Sequence, residues 1–497
     1  MLLPMRALCL FAFFAALPSV AQPVLVAEAD PGPDDGSITE LVAHDGVLYF
    51  SGKGAGGTEL YRFDPAVGEA ERLTNLQAES LKPSHIVSLD GVLYFSGQDE
   101  ETGRELWSYD PATSTLELVA DILEGPKPST PNFLAVFNDE VYFRAFTFGS
   151  KKELWHYDPD TGLAVQTPDI RDPDSAAPAE MTPLGGQLYF RAFDDPVGDE
   201  LWRYDPETNA HTLVVDIVPG PQIGEPRHLR VVDGRLYFIA RAPNEGPWQQ
   251  IWEYDPATDA AEMKVVLPAG DEGAEWRPEP WVEMDGSLYV FAGSDDGADD
   301  LWRFDPQTGQ ARKVADLPPG SDDRLPAPLA GVDGVLMFAA SADDTGRELW
   351  VYDSGSGAIF RASDLARGAA SSDPAWAAVL DGALYFSADD GSNGRELWRF
   401  DPPPVAGEET PDALAVGEVA PNPSTGTARL RVRLAAPASV RVVVTDALGR
   451  AVAERQVSRG AGTHDLDVPT AGLAPGVYVL RVEGPMGTTL RRFTLAR

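Results

Sequence analysis

Between residues 24 and 402 the apolar positions fall into short runs separated by turns rich in Asp, Gly and Pro, and nowhere does the pattern favour a helix. Two phrases recur in fixed order. The first couples a turn to an apolar run: Asp45-Gly-Val-Leu-Tyr-Phe50, Asp90-Gly-Val-Leu-Tyr-Phe95, Asp233-Gly-Arg-Leu-Tyr-Phe238 and Asp381-Gly-Ala-Leu-Tyr-Phe386, with looser copies ending at Phe143, Phe190, Phe291 and Phe338. The second is Glu-Leu-Trp-x-Tyr-Asp-Pro, as in Glu105 to Pro111. Its aspartates are Asp64, Asp110, Asp158, Asp205, Asp255, Asp305, Asp353 and Asp401, spaced by 46, 48, 47, 50, 50, 48 and 48 residues.

One period predicts four strands. Ile86 to Leu89 is the first, and the Asp90-Gly91 turn takes the positive φ that tight hairpins need. Leu93 to Phe95 is the second, Glu105 to Tyr109 the third, and Leu116 to Asp121 the fourth, after an Asp-Pro turn. Four strands per period of this length describe the blades of a propeller. The N-terminal Val24-Leu-Val-Ala-Glu-Ala-Asp30 matches a fourth-strand phrase such as Leu118-Val-Ala-Asp121, whereas the last copy stops after its third strand at Asp401-Pro402. The first strand is therefore expected to complete the last blade, which leaves no open edge.

A different pattern begins after a Pro-, Glu- and Ala-rich stretch. Ala428 to Leu434, Val440 to Thr445, Ala451 to Val457, His464 to Val468, Gly476 to Val482 and Thr488 to Leu495 read as strands of a sandwich. The predicted fold class is all-β: an eight-bladed β-propeller closed by the N-terminal strand, followed by a small C-terminal β-sandwich. The expected divisions are residues 1–21, 22–402 (propeller), 403–417 (linker) and 418–497 (sandwich).

The third-strand phrase resembles the Tyr-Asp-Pro strand of kelch-type propellers, without that family's paired glycines. Asp343-Asp-Thr-Gly-Arg-Glu-Leu-Trp350 is similar to the tryptophan-docking phrases of quinoprotein dehydrogenases, with no cofactor pocket motif beside it. The tail carries a more specific likeness. Pro421-Asn422-Pro423, Asp446-x-x-Gly449-Arg450, Gly476-Val-Tyr478 and the basic-aromatic Arg491-Arg-Phe493 resemble the type IX secretion sorting domain, type A. That resemblance implies a partner in the type IX secretion machinery, export from a Bacteroidetes-like bacterium, and a secreted or surface-attached product.

Charge narrows the function. The net charge of -39 leaves no basic face for phosphates, so nucleic acid is excluded as a partner. Such acidity suits metal cations, cationic partners or a salty habitat. From Asp412 onward the balance reverses, with 11 Arg against 7 Asp and Glu. Met1 to Ala21 reads as a signal peptide: one early positive charge, an apolar stretch from Ala7 to Leu17, and small residues before the expected cleavage. Cleavage would remove Cys9, the single cysteine, so the mature chain has no disulfide and no transmembrane segment.

No nucleophile elbow, phosphate loop or paired-histidine motif occurs, so no catalytic residue and no cofactor is assigned. The histidines are scattered, and His156, standing where other copies have Ser108 or Arg203, reads as a surface residue. The loops between second and third strands share one propeller face with the crossings to the next blade. Several are acidic, at 30–35, 98–101, 294–300, 321–323 and 389–391, which makes Ca2+ conceivable there. Seven of the 11 tryptophans belong to the repeat and read as packing between blades. The other four, Trp248, Trp276, Trp281 and Trp376, fall in or beside this same loop face, with Arg277 adjacent; Arg144 and Arg191 replace the usual small residue after the apolar run. These seven side chains form the candidate face for a polysaccharide or protein ligand. Filling of longer loops is the structural alternative.

Overall fold

The computed structural model describes residues 22–29, 36–76, 80–147, 151–171, 174–241, 250–268, 281–293, 299–317, 326–342 and 345–403. In the tail it describes 414–420, 424, 428–434, 438–445, 450–459, 462–470, 472–484 and 487–496. Residues 1–21 and most of 403–417 thus lie outside the described residues. The chain divides into two compact units, Met1–Pro403 and Pro404–Arg497, and no α-helix occurs among the described residues.

In the first unit the described residues form eight four-stranded antiparallel sheets, following one another in chain order. The first consists of Thr39–His44, Val47–Gly54, Gly57–Phe63 and Ala70–Arg72, from the inner strand outward. Its inner strand lies against those of both the second and the eighth sheets, and the sheets form a β-propeller. The eighth sheet takes its outermost strand from the other end of the chain. Val24–Ala27 pairs antiparallel with Arg395–Phe400, Val24 opposite Arg399 and Leu25 opposite Trp398. Beyond the strand, the main-chain nitrogens of Ala29 and Gly36 donate to the Glu396 carboxylate at 2.9 and 3.0 Å.

The recurring phrases each have a physical task. Asp45 and Gly46, at φ 47° and 77°, both take the left-handed geometry of a tight hairpin. In Leu-Tyr-Phe the alternation of a strand sends Leu and Phe to one face and Tyr to the other. Leu93 and Phe95 pack back on the first sheet, and Tyr94 packs forward on the third. Forward tyrosines meet the aromatic residue of the next sheet's Trp-x-Tyr-Asp phrase: Tyr94 meets Tyr157 at 5.8 Å between centroids, Tyr142 meets Tyr204 at 6.0 Å, and Tyr189 meets Tyr254 at 5.3 Å. The recurring aspartate caps its own turn, Oδ1 of Asp110 accepting the Ala112 N–H at 2.8 Å.

The glutamate opening the second phrase in six of the sheets ties its sheet to the crossing that follows it. Buried Glu105 accepts N–H groups from Ile122 and Ser129 at 3.0 and 2.7 Å, and buried Glu200 those of Ile217 and Gly224 at 2.8 and 2.9 Å. Burial lifts the carboxyls of Glu105 and Glu153 to about 7 and that of Glu200 to about 8. These acids satisfy buried backbone donors that would otherwise be orphaned.

The second unit contains a three-stranded sheet (Leu414–Ala420, Ala428–Leu434, Gly462–Val468) and a four-stranded one. The latter runs Ala451–Arg459, Ala438–Thr445, Gly476–Gly484, Gly487–Leu495 in spatial order. One core joins both, with Leu430, Val442, Leu466 and Leu480 among its members.

Candidate functional site

The inner strands share an irregularity at the end where the chain enters each sheet. Pairing slips between Thr39 and Val42, between Ser84 and Val87, and likewise in the third, fourth, fifth and eighth sheets. The second residue of each such strand sits in the bulge with positive φ: Glu40 (56°), His85 (55°), Phe133 (54°), Glu180 (62°), His228 (55°) and Trp376 (48°). Left-handed geometry is uncommon for side chains of this size and collects at functional sites. In the seventh sheet the position is Pro328, whose ring excludes positive φ, and in the sixth it is Pro280, outside the described residues. A constant backbone thus carries a ring of bulge residues, Glu, His, Phe, Glu, His and Trp in chain order, at the start of the inner strands of six sheets.

Neighbouring members of this ring are joined. The main-chain nitrogen of His85 donates to Oε2 of Glu40 at 2.9 Å, and that of His228 to Oε2 of Glu180 at 3.0 Å. The His85 and Phe133 rings lie 5.9 Å apart. Burial raises the Glu40 carboxyl above the ordinary range, partly offset by the His85 N–H. Burial also lowers the His85 imidazole, and the charges of Arg144 and Arg104 lower it further.

Arginines stand behind the ring. Arg144 donates from Nε to Oδ1 of Asn132 at 2.9 Å, and its guanidinium lies 4.6 Å over the Phe133 ring. Burial, with the charge of Arg191, brings Arg144 down to about 10. Arg191 pairs with Glu225 at 3.2 Å and Asp199 at 3.5 Å. Arg104 reaches Ser84, Ser96 and Gln98.

Of the sequence-derived ligand face, Arg144 and Arg191 are thus brought close enough to interact. Trp376 is a ring member and 46% exposed. Trp281 is a correction: it is fully buried between the fifth and sixth sheets, and its indole nitrogen donates to the main-chain oxygen of His228 at 2.6 Å. It fills the interior where the sixth sheet begins. Trp248, Trp276 and Arg277 lie outside the described residues. His156 is a second correction. Its ring stacks on Tyr142 at 5.3 Å and Nδ1 lies 2.6 Å from Oε2 of Glu140, so a strand position expected at the surface is half-buried. Glu40, His85, Phe133, Glu180 and His228 were not anticipated, although each stands nine residues before the tyrosine of its Leu-Tyr-Phe phrase or its looser copy.

Among the described residues no three His, Cys, Asp or Glu side chains converge to hold a metal, and no helix is long and apolar enough to cross a membrane. The acidic stretches 30–35 and 321–323 lie outside the described residues, as does most of 294–300.

In the tail, Tyr478 is a core residue: its ring stacks on Phe493 at 5.7 Å, and its hydroxyl donates to the oxygen of Ala474 at 2.6 Å. Gly476 and Arg450 are described; Pro421, Asn422, Pro423 and Gly449 are not.

Fold and tail together define an exported β-propeller protein. Residues 418–495 match the family of secretion system C-terminal sorting domains, and this segment is a type IX sorting domain, which implies contact with the secretion machinery and directs the chain to the cell surface or beyond. No curated protein sequence matches the chain. Solved structures similar to it include the oligogalacturonate lyase of Vibrio parahaemolyticus, 12% identical, covering 77% of this chain and 98% of that one, with a TM-score of 0.45. The β-propeller domain of the Trilobed protease from Pyrococcus furiosus is 13% identical over 67% of this chain and 99% of that one, with a TM-score of 0.39. PorZ, a surface component of the type-IX secretion system of Porphyromonas gingivalis, is 14% identical over 93% and 76%, with a TM-score of 0.28.

Proposed function

We propose that this chain is a secreted or surface-attached binding protein in which an eight-bladed propeller, closed by the N-terminal strand, presents its channel mouth to a polysaccharide or protein ligand. A C-terminal β-sandwich in residues 418–497 serves export, after removal of residues 1–21. The observation that carries the binding reading is the ring of bulge residues. Six sheets hold one left-handed backbone geometry, yet the side chain varies, with Glu and His twice each and Phe and Trp once. Packing would favour a repeated residue there, as it does at the tyrosines. A ligand with a different group at each contact needs a varied set.

The second reading is a polysaccharide hydrolase or lyase. His85, half-buried at the mouth and with its imidazole lowered by burial and by Arg144 and Arg104, is the group that favours it. Calcium on the acidic loops of the same face would serve either reading. A glycan array probed with the exported chain, followed by product analysis on each hit, decides between them. Binding without product supports the first reading, turnover supports the second, and silence on all glycans and candidate protein ligands overturns both.

A further inference from the structure

We propose that Arg104 and Arg144, on the second and third sheets, form a seat for the carboxylate of an acidic sugar chain at the channel mouth. The proposal rests on the binding reading above and names the ligand class.

It comes from comparing the sheets with one another. Three residues before each ring position lies a second left-handed residue: Ser37, Lys82, Thr130, Ala177, Glu225 and Asp373, with φ of 45°, 44°, 49°, 48°, 49° and 53°. In the fifth and eighth sheets this residue is an acid, and it meets the arginines beside it. Glu225 lies 3.2 Å from Arg191; Asp373 lies 3.7 Å from Arg347 and 3.9 Å from Arg395. In the second, third and fourth sheets the same position is Lys82, Thr130 and Ala177.

Arg104 occupies in the second sheet the place that Arg395 occupies in the eighth. Nη1 of Arg395 donates to the main-chain oxygen of Asp373 at 2.8 Å and to Oγ of Ser387 at 3.1 Å. Nη1 of Arg104 donates to the main-chain oxygen of Lys82 at 3.1 Å and to Oγ of Ser96 at 3.3 Å. The frame is kept, but an acid is exchanged for a lysine. Arg144, one sheet on, has Asn132, the main-chain oxygen of Pro178 at 3.4 Å and the Phe133 ring. Among the described residues neither guanidinium has a carboxylate partner, in a chain where 78 acidic residues face 39 basic ones.

A half-buried guanidinium held by neutral acceptors keeps its charge and its remaining N–H groups for an incoming anion, and its planar fork matches a carboxylate. Exposed Lys82 adds a further charge at the rim. Phe133 and His85 supply flat faces next to the arginines, which suit sugar rings carrying the carboxylate.

Calorimetry on the exported chain tests this with four probes: a uronic-acid hexasaccharide, its methyl ester, hexaglutamate, and a neutral glycan taken from the array. The uronate is expected to bind, and the ester about tenfold more weakly, the range for losing one charge-assisted contact. Arg104→Gln and Arg144→Gln are each expected to weaken uronate binding by about the same factor, and Arg399→Gln, remote and paired with Asp401, to leave it unchanged. Lys82→Glu keeps both arginines and restores the acid found at Asp373, so it is expected to weaken uronate binding even where an arginine variant folds poorly. Equal binding of uronate and ester, or indifference to Lys82→Glu, overturns the proposal. Tighter binding of hexaglutamate replaces the sugar with an acidic peptide and also overturns it. Neutral-glycan binding with no preference for uronate removes this proposal alone, whereas silence on every glycan and protein ligand removes the reading beneath it.

Discussion

Oε2 of Glu40 accepts the main-chain N–H of His85 at 2.9 Å, so a side chain on the first inner strand satisfies a backbone donor in the bulge of the second. The pair Glu180 and His228 repeats the contact between the fourth and fifth. These glutamates join neighbouring sheets where their inner strands begin.

Glu40→Ala is therefore expected to leave a half-buried N–H unmet and to cost about 1–3 kcal/mol, the range for such a group. Chemical denaturation of the exported chain measures it. An unchanged midpoint would show that solvent serves the His85 N–H equally well.

The buried glutamates of the repeat predict a pH dependence. Their carboxyls lie at about 7 for Glu105 and Glu153 and about 8 for Glu200, against an ordinary 4.5. Each binds its proton more tightly in the folded state, so the linked stability is fully present below 4.5 and is lost as pH rises through 7 to 8. Gln250 already occupies this position in the fifth sheet, buried and neutral. Glu200→Gln is expected to flatten the decline of the melting temperature between pH 5 and 9 relative to wild type. Parallel curves for the two proteins would refute the assignment.

The pairing of the N-terminal strand with the eighth sheet predicts the effect of a truncation. Deleting residues 22–29 removes the strand paired with Arg395–Phe400, along with the Ala29 N–H given to Glu396. It exposes an unpaired edge on the eighth sheet. The truncated chain should melt lower and self-associate in size-exclusion chromatography. A monomer of native stability would mean that the eighth sheet holds with three strands.

Much of this architecture was legible in the sequence, because its signals repeat. The spacing from Asp64 to Asp401 predicted the sheets, and the displaced Val24–Ala27 phrase predicted the pairing now seen between Leu25 and Trp398. The mouth was harder to read. Arg144 and Arg191 stood out because they break a repeat, whereas Glu40, His85, Phe133, Glu180 and His228 differ from one another and share only a backbone geometry. Their common offset from the tyrosine was the available signal. Trp281 misled because an aromatic just ahead of a strand can turn inward or outward, and no local pattern says which.

The two described tryptophans of the candidate ligand face separate by what they touch. Trp281 is wholly buried, packed with Tyr237, Ile251 and Phe304, and hydrogen-bonded to the fifth inner strand. Trp281→Ala opens a cavity in that core and should cost about 3–5 kcal/mol, the range for removing a large buried aromatic. Trp376 keeps 46% of its surface in solvent. Trp376→Ala also relieves a bulky side chain at φ 48°, so its effect on stability should stay within about 0.5 kcal/mol, as for surface changes generally. If the mouth is the ligand face, the order reverses for binding. Trp376→Ala should weaken retention on whichever ligand the exported chain binds, at unchanged melting temperature. Trp281→Ala should lower melting temperature first and binding only in proportion to unfolded protein. A Trp376 variant that binds as tightly as wild type would move the ligand away from the ring of bulge residues.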